Sequence, residues 1–254
     1  MMPNSTIDSI NRAISWLREA KQTVALTGAG ISVDSGIPAF RGSQGLWEHY
    51  DPQEYAHIDA FIANPGKVWC MLAEMLAVVF QARPNPAHQA LAELEANGHL
   101  QSIITQNVDG LHQAAGNKRV IEFHGNTRRL ICLSCGNQQR IKSPADFSIL
   151  PLCPDCQAVM KPDVVFFGEA IPETAQDSAV LAATQADVML VIGTSAVVYP
   201  VADLPWVTKQ NGGRIIEINL EPSPLSKKIS DLVILDSASI VMPALAAGLC
   251  EVNS

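Results

Sequence analysis

The chain of 254 residues has a formal net charge of −8, with 48% hydrophobic and 17% charged residues. This length and apolar content suit one large α/β domain, or one with a small inserted module, and exclude a disordered chain. With no Lys/Arg run, the acidic balance argues against a nucleic-acid backbone as principal ligand, while an acidic surface attracts basic protein segments.

In chain order, Ile7, Ile10, Ile14 and Leu17 recur at helical spacing. They predict an amphipathic helix over residues 5–20, capped by Ser5 or Thr6, rather than a signal peptide. The longest apolar runs, such as Val188 to Ile192, are too short to cross a bilayer, so a cytoplasmic protein without membrane contact is expected. Thr23 to Thr27 reads as a buried strand that feeds the turn Gly28-Ala29-Gly30-Ile31-Ser32. A strand, glycine turn and helix in succession bring backbone N–H groups to a diphosphate. Position 33 is Val, so the third glycine of the dehydrogenase fingerprint is missing, and the stretch alone is equally an ordinary junction. The Gly-, Ser- and Pro-rich residues up to Gly42 read as a loop over whatever the glycines bind, mobile until ligand arrives.

Residues 45–63 show no assignable pattern. Asn64-Pro65 opens a helix running to about Gln81, apolar on most sides and hence buried between layers. Asn85-Pro86 opens another that ends near Gly98. Strands are predicted at Ser102 to Thr105, Val120 to Phe123, Val164 to Phe167, Asp187 to Ile192, Ile215 to Ile218 and Leu232 to Leu235. A helix over about Pro172 to Gln185 and a short C-terminal helix complete the pattern. Short apolar strands alternating with helices imply α/β architecture: a Rossmann-like parallel sheet with helices on both faces. The polar clusters at Gly28, Gln106, His124, Gly193 and Asn219 each follow a strand, where open α/β sheets bind ligands.

Cys132-x-x-Cys135 and Cys153-x-x-Cys156 are separated by 17 residues, the spacing of a four-thiolate zinc site. Four thiolates leave no open coordination position, so one structural zinc per chain is expected. Cys70 and Cys250 stand apart as packing residues. The domain division is therefore 1–124 with 164–254 as the Rossmann-type domain, including a helical loop module over about 36–82, and 125–163 as a small inserted zinc-binding lobe.

Together these motifs resemble the sirtuin family of NAD-dependent protein lysine deacylases. The resemblance is carried by the glycine turn, Ser35-Gly36-Ile37-Pro38-x-Phe40-Arg41-Gly42, Thr105-Gln106-Asn107-Val108-Asp109, Phe123-His124-Gly125, the four cysteines, Val165-Phe166-Phe167-Gly168-Glu169, Gly193-Thr194-Ser195 and Asn219-Leu220-Glu221. It covers nearly the whole chain and implies that NAD and an acyl-lysine peptide meet in a cleft between the two lobes. Gly28, Ala29, Gly30 and Ser32 would belong to the diphosphate side, and Phe40 and Arg41 to a loop over the nicotinamide ribose. Gln106, Asn107, Val108 and Asp109 would surround the nicotinamide, its carboxamide held by Asn107 and Asp109. Gly193, Thr194, Ser195, Leu220 and Ala238 would touch the adenosine side, and Asn219 and Glu221 its ribose hydroxyls. Val165, Phe166, Phe167, Gly168, Glu169 and Val198 would receive the peptide.

The resemblance makes His124 and Asn107 the catalytic residues. In the family mechanism the acyl oxygen attacks the ribose carbon bearing nicotinamide, leaving an alkylimidate. The histidine is then general base for the ribose hydroxyl that attacks it, and the products are free lysine, nicotinamide and acyl-ADP-ribose. A neutral imidazole suits this task. His88, His99 and His112 are read as structural. Aligning on Asn64-Pro65 places Leu72 and Met75 where succinyl- and malonyl-selective relatives carry Tyr and Arg, which predicts a preference for acetyl or other apolar acyl groups. Protein ADP-ribosyl transfer and NAD hydrolysis on the same site, or a non-catalytic zinc-ribbon adaptor, are the alternatives.

Overall fold

The computed structural model describes residues 3–39, 48–141, 143 and 150–250. Phe40 and Arg41, and the loop closure expected of them, lie outside these. Helix α1 (Asn4–Glu19) buries Ile10, Ala13, Ile14 and Leu17, as its spacing predicts. The expected serine or threonine cap is absent: Pro3 occupies the N-cap position and no side chain bonds the first turn.

The main sheet is built from β1 (Thr23–Thr27), β2 (Ser102–Thr105), β3 (Val120–Glu122), β7 (Val188–Ile192), β8 (Arg214–Asn219) and β9 (Leu232–Leu235), in the order β3-β2-β1-β7-β8-β9. Every pairing is parallel. This order is that of a doubly wound dinucleotide-binding sheet, reversing direction between β1 and β7. Both faces of β1 and β7 are buried, which explains their continuous apolar runs. One face packs on α1, α5 (Pro86–Ala96) and α9 (Ala238–Cys250); the other packs on α7 (Glu173–Gln185) and α8 (Leu204–Gln210).

Register does the positioning. Thr27 lies beside Thr105 on one side and Ile192 on the other, and Ile192 lies beside Ile218. The residues that follow, Gly28, Gln106, Gly193 and Asn219, are thereby set along one edge at the strands' carboxyl ends.

The second layer is a three-stranded antiparallel sheet, β5-β4-β6, from β4 (Gly125–Cys132), β5 (Gln138–Arg140) and β6 (Met160–Val164). The strand expected at Val164 to Phe167 is thus displaced: β6 ends at Val164 and pairs with β4, not with the large sheet. Residues 165–167 continue as connecting chain, because Val165 N–H donates to His124 O (2.9 Å) and Phe167 N–H to Ala56 O (2.9 Å). Over the unassigned stretch two short helices form, α2 (Pro52–Tyr55) and α3 (Ile58–Ala63), the first capped by Asp51. Helix α4 (Pro65–Gln81) begins as predicted, with Asn64 Oδ1 accepting from Lys67 N–H at 3.0 Å. It buries Val68, Trp69, Leu72 and Leu76 against Leu130, Met160 and Phe166. Trp69 Nε1–H donates to Met160 O at 2.9 Å, pinning α4 to β6. The short helix α6 (Leu111–Ala115) follows β2. Among the described residues no helix is long and apolar enough to cross a membrane.

Candidate active site

A cleft of about 710 Å3 separates the sheet edge from the α4 and β6 layer. That volume suits a cofactor with a substrate segment. Its floor is the glycine turn. A Cβ on Gly28 would lie 2.8 Å from Gly193 O, and one on Gly30 2.8 Å from Gly193 Cα, so only glycine lets the two loops touch. Gly28 N–H donates to Ile192 O (3.0 Å) and Gly30 N–H to Gly193 O (2.8 Å). These two amides are therefore committed within the protein, and close loop packing, not free N–H groups, is what the glycines supply. After them Ala29–Ser35 forms a 3-10 helix, closed by Gly36 at φ +86°.

On the β2 side, Gln106 is a bridge. Its Nε2–H donates to Thr194 Oγ1 (2.9 Å), and its carbonyl lies 3.2 Å from His124 Nδ1. Nδ1 therefore carries the proton donated to that carbonyl, which leaves Nε2 of the neutral ring as a free base. Burial holds the His124 pKa below its ordinary value, against the opposing pull of the Gln106 carbonyl. The ring is neutral at physiological pH.

Asn107 and Asp109 face a side chamber of about 190 Å3 shared with Ser32, Ile37 and Met71. Asn107 Nδ2–H donates to Gly28 O and Ser32 Oγ, both at 3.1 Å, and Ser32 Oγ–H to Asp109 Oδ2 at 2.8 Å. Burial raises the Asp109 pKa, while donors from Leu111 N–H and Ser32 work in the opposite direction. Val108 lines both the chamber and the main cleft.

At the other end lie Thr194, Ser195, Asn219, Leu220, Glu221 and Ala238. Asn219 is fully engaged: Oδ1 accepts from Thr194 N–H (3.0 Å), and Nδ2–H donates to Thr194 O (3.2 Å) and Glu217 Oε1 (2.9 Å). Its side chain fixes the Thr194 backbone, whereas exposed Leu220 and Glu221 stay open to the cleft. Glu217 was not anticipated. This fully buried carboxylate in β8 accepts from Ser223 N–H, Ser226 and Ser230 besides Asn219. Burial opposes its charge, but these donors outweigh burial and hold its pKa low. A single acid within an apolar strand, followed by three serines, is the signal that could have found it.

The wall opposite is the segment Val165 to Glu169 with Val198, Leu72 and Met75, all bordering the same cleft. The Glu169 carboxylate is tied into this wall. Glu169 Oε2 accepts from Phe166 N–H (2.7 Å) and pairs with Lys161 Nζ (3.0 Å), while Lys161 also donates to Val164 O. Lys161 is 2% exposed, and burial lowers its pKa against the pull of Glu169. Phe166 stacks edge-on against Phe61 at 5.9 Å, and Gly168, at φ +83°, leaves room for the His57 ring.

Beyond the cleft, the Sγ atoms of Cys132, Cys135, Cys153 and Cys156 lie within 4.8 Å of one another. A tetrahedral zinc with Zn–S of about 2.3 Å needs sulfurs roughly 3.8 Å apart, so the donor set fits. Backbone N–H groups of Cys135 and Ser134 help draw the Cys132 thiol down to about 6, whereas hydrogen bonding to neighbouring sulfurs pushes the Cys135 and Cys156 thiols up.

Residues 28–200 match the model of the Sir2 family. A relative from Archaeoglobus fulgidus, NAD-dependent protein deacylase 1, is 47% identical over 234 residues, covering 92% of this chain and 95% of its own. A mutant Sir2 homologue solved with ADP-ribose is 45% identical, with a TM-score of 0.92 over 94% of this chain and 96% of its own. A Sir2 protein solved with a p53 peptide and NAD+ is 37% identical, with a TM-score of 0.83 over 95% of this chain and 97% of its own. With the sheet order, the Gln106-to-Glu169 cleft and the four-thiolate cluster all in place, the chain belongs to the Sir2 family.

Proposed function

We infer that the protein removes acyl groups from protein lysine side chains in an NAD-dependent reaction, giving nicotinamide, acyl-ADP-ribose and free lysine. One observation carries this reading. His124 presents a free Nε2 in the same cleft as Asn107 and the Val165 to Glu169 segment. When bound, NAD supplies the ribose carbon that exchanges nicotinamide for the acyl oxygen. The chamber around Asn107 and Asp109 receives the nicotinamide, an amide and a carboxylate being suited to a carboxamide. His124 Nε2 accepts the proton of the attacking ribose hydroxyl, and the Gln106 carbonyl orients the ring for it. The cysteine cluster holds one structural zinc that orders the lobe, too crowded for a substrate at the ion.

Leu72 and Met75 give the acyl end of the cleft its selectivity. Leu72 is 2% exposed and Met75 half-buried, three residues apart on one face of α4. A succinyl carboxylate set against them loses its water and gains no partner, at a cost of several kcal/mol. An acetyl methyl or a longer apolar chain escapes that cost, and Met adapts to either. Partners are acyl-lysine proteins, neither nucleic acid nor membrane, met in the cytoplasm, where thiolate ligands stay reduced.

The test is mass spectrometry of matched acetyl- and succinyl-lysine peptides incubated with and without NAD. Deacetylation only with NAD, together with acyl-ADP-ribose, is expected. ADP-ribose attached to the protein or peptide, or free ADP-ribose alone, would replace this reading with transfer or hydrolysis. A kcat/KM at least about tenfold lower for succinyl is expected, since each 1.4 kcal/mol is worth a factor of about ten. A preference for succinyl would show that Leu72 and Met75 do not line the acyl pocket.

A further inference from the structure

Behind the glycine turn two histidines are buried that take no part in the cleft. His88 in α5 is 0% exposed and His112 in α6 is 1% exposed, with ring centroids 4.9 Å apart. We propose that His88 and His112 are positioning residues, a pair of neutral imidazoles that act through Thr27 and Thr105 to hold Asn107 in place. The proposal rests on the reading of the cleft as an NAD-dependent deacylase site.

The argument begins at two donors that cannot be reversed, because both are backbone amides. At one end, Asn85 N–H donates to His88 Nδ1 (3.4 Å). His88 Nδ1 is therefore unprotonated, and the neutral ring carries its hydrogen on Nε2. At the other end, Asn107 N–H donates to Thr105 Oγ1 (3.1 Å). Between them, Thr27 Oγ1 lies 2.9 Å from Thr105 Oγ1 and 2.9 Å from His112 Nε2.

Two directions are open to this chain. If Thr27 donated to His112 Nε2, His112 would carry its hydrogen on Nδ1, and two N–H groups would be left on neighbouring rings. If His112 Nε2–H donates to Thr27, and Thr27 to Thr105, His112 Nδ1 becomes an acceptor beside a ring that offers a donor. His88 Nε2 and His112 Nδ1 are both buried without a hydrogen-bond partner. The second direction makes them complementary, a donor and an acceptor on rings in contact that one water could bridge. The Asn85 amide, by setting the His88 tautomer, favours this direction, and the Asn107 amide, which only needs Thr105 Oγ1 as an acceptor, is compatible with it.

The chain closes into a ring around the glycine turn. Asn85 Nδ2–H donates to Ile31 O (2.7 Å) and Ser35 Oγ (3.0 Å), holding the 3-10 helix. Asn107 Nδ2–H donates to Ser32 Oγ on the same helix. One circuit thus runs from the 3-10 helix through α5, α6, β1 and β2 and back to it. Stability alone would be served better by apolar residues, since buried nitrogens short of partners cost free energy. What the imidazoles add is direction: a His112 that donates to Thr27 turns the Thr27 hydroxyl toward Thr105, the acceptor of the Asn107 amide.

Nitrogen-detected NMR of 15N-histidine protein at neutral pH reads the tautomers directly. Both His88 and His112 are expected as neutral rings protonated at Nε2; an Nδ1–H His112 overturns the proposal. In kinetics, His112→Phe and Thr27→Val are each expected to lower kcat/KM for NAD about tenfold, the worth of about one hydrogen bond. The peptide KM should stay within about twofold. His112→Gln, whose amide can donate to Thr27 and accept from His88, should restore most of the loss. The double variant should be no worse than the poorer single one, as for members of one unit. A folded His112→Phe with the kinetics of the parent, or with equal losses toward NAD and peptide, overturns the proposal. Should His112→Phe not fold, Thr27→Val carries the kinetic test, and the NMR needs no variant. A parent protein inactive on acetyl peptides would fail the functional reading instead, leaving the tautomers to decide the relay.

Discussion

In the six-stranded sheet, β1 and β7 bury every residue of their strands. In the cysteine lobe, β5 leaves two of its three residues exposed, and Cys135 and Cys156 are exposed as well. The first region is held by apolar area removed from water on both faces. Among its described residues, the second buries Leu130, Ile141, Met160 and Val164 in the cluster it shares with α4. Its outer knuckles have little to bury, and a metal ion supplies there what side chains supply in the sheet. The cleft lies between the sheet edge and the α4 and β6 layer, behind which the cysteine cluster sits. The two walls should therefore fail separately.

The largest expected effect tests that separation. Removing the zinc, or replacing Cys132 with Ser, should cost about 4 kcal/mol and lower Tm by roughly 10 °C for a chain of this size. Circular dichroism should retain the sheet signal, with exchange protection lost over β4–β6 but kept in β1 and β7. Metal-free protein of unchanged stability, or a variant that loses both regions together, breaks the comparison.

At the junction of the walls, His124→Ala should lower deacylation about 10²-fold or more. NAD binding by calorimetry should be preserved, because the ring borders the cleft and meets the buried layer only by an edge contact with Phe123. Activity in the parent should fall with acid only below the ordinary histidine value, since burial lowers the His124 pKa and the neutral ring is the active form. Near-parental turnover in the variant removes the assignment.

Acid should also divide the regions. His88 and His112 titrate near 4 and 3 in the folded chain, because burial disfavours their charged forms. The unfolded chain takes up those protons near 6.5. Stability is therefore intact above pH 6.5 and is lost as pH falls toward 4, by up to about 1.4 kcal/mol per unit for each ring. Tm profiles of the parent and His112→Phe should differ in slope by one proton. Identical slopes would mean that His112 is not buried and neutral.

The smallest effect concerns the Val165 to Glu169 segment, proposed above to receive the peptide. Lys161→Met removes the ammonium that Glu169 pairs with while filling similar space. Without it the Phe166 to Glu169 turn should loosen, raising the peptide KM about fivefold, a fraction of the worth of one charge-assisted hydrogen bond, with little change for NAD. A larger effect on NAD than on peptide would place the ion pair on the wrong wall.

Much of this was legible along the chain because it is local. Asn64-Pro65 and Asn85-Pro86 announce their helices through a cap and a fixed φ, and both form as read. The four cysteines announce a metal site because the two-residue spacer sets the knuckle. The carboxyl ends of the strands could be picked out because polar residues interrupt apolar runs there. By contrast, Val164 to Phe167 looks like a core strand, yet only tertiary pairing assigns Val164 to β4 and ties residues 165–167 to His124 and Ala56. Gly28 and Gly30 were recognisable as a turn, but that they serve the approach of Gly193 depends on the register of β1 against β7. His88 and His112 stand 24 positions apart and look like isolated core residues. Period and spacing report what one segment needs from its neighbours in sequence. Which buried donor meets which acceptor depends on strand register and helix docking, and those exist only once the layers have packed.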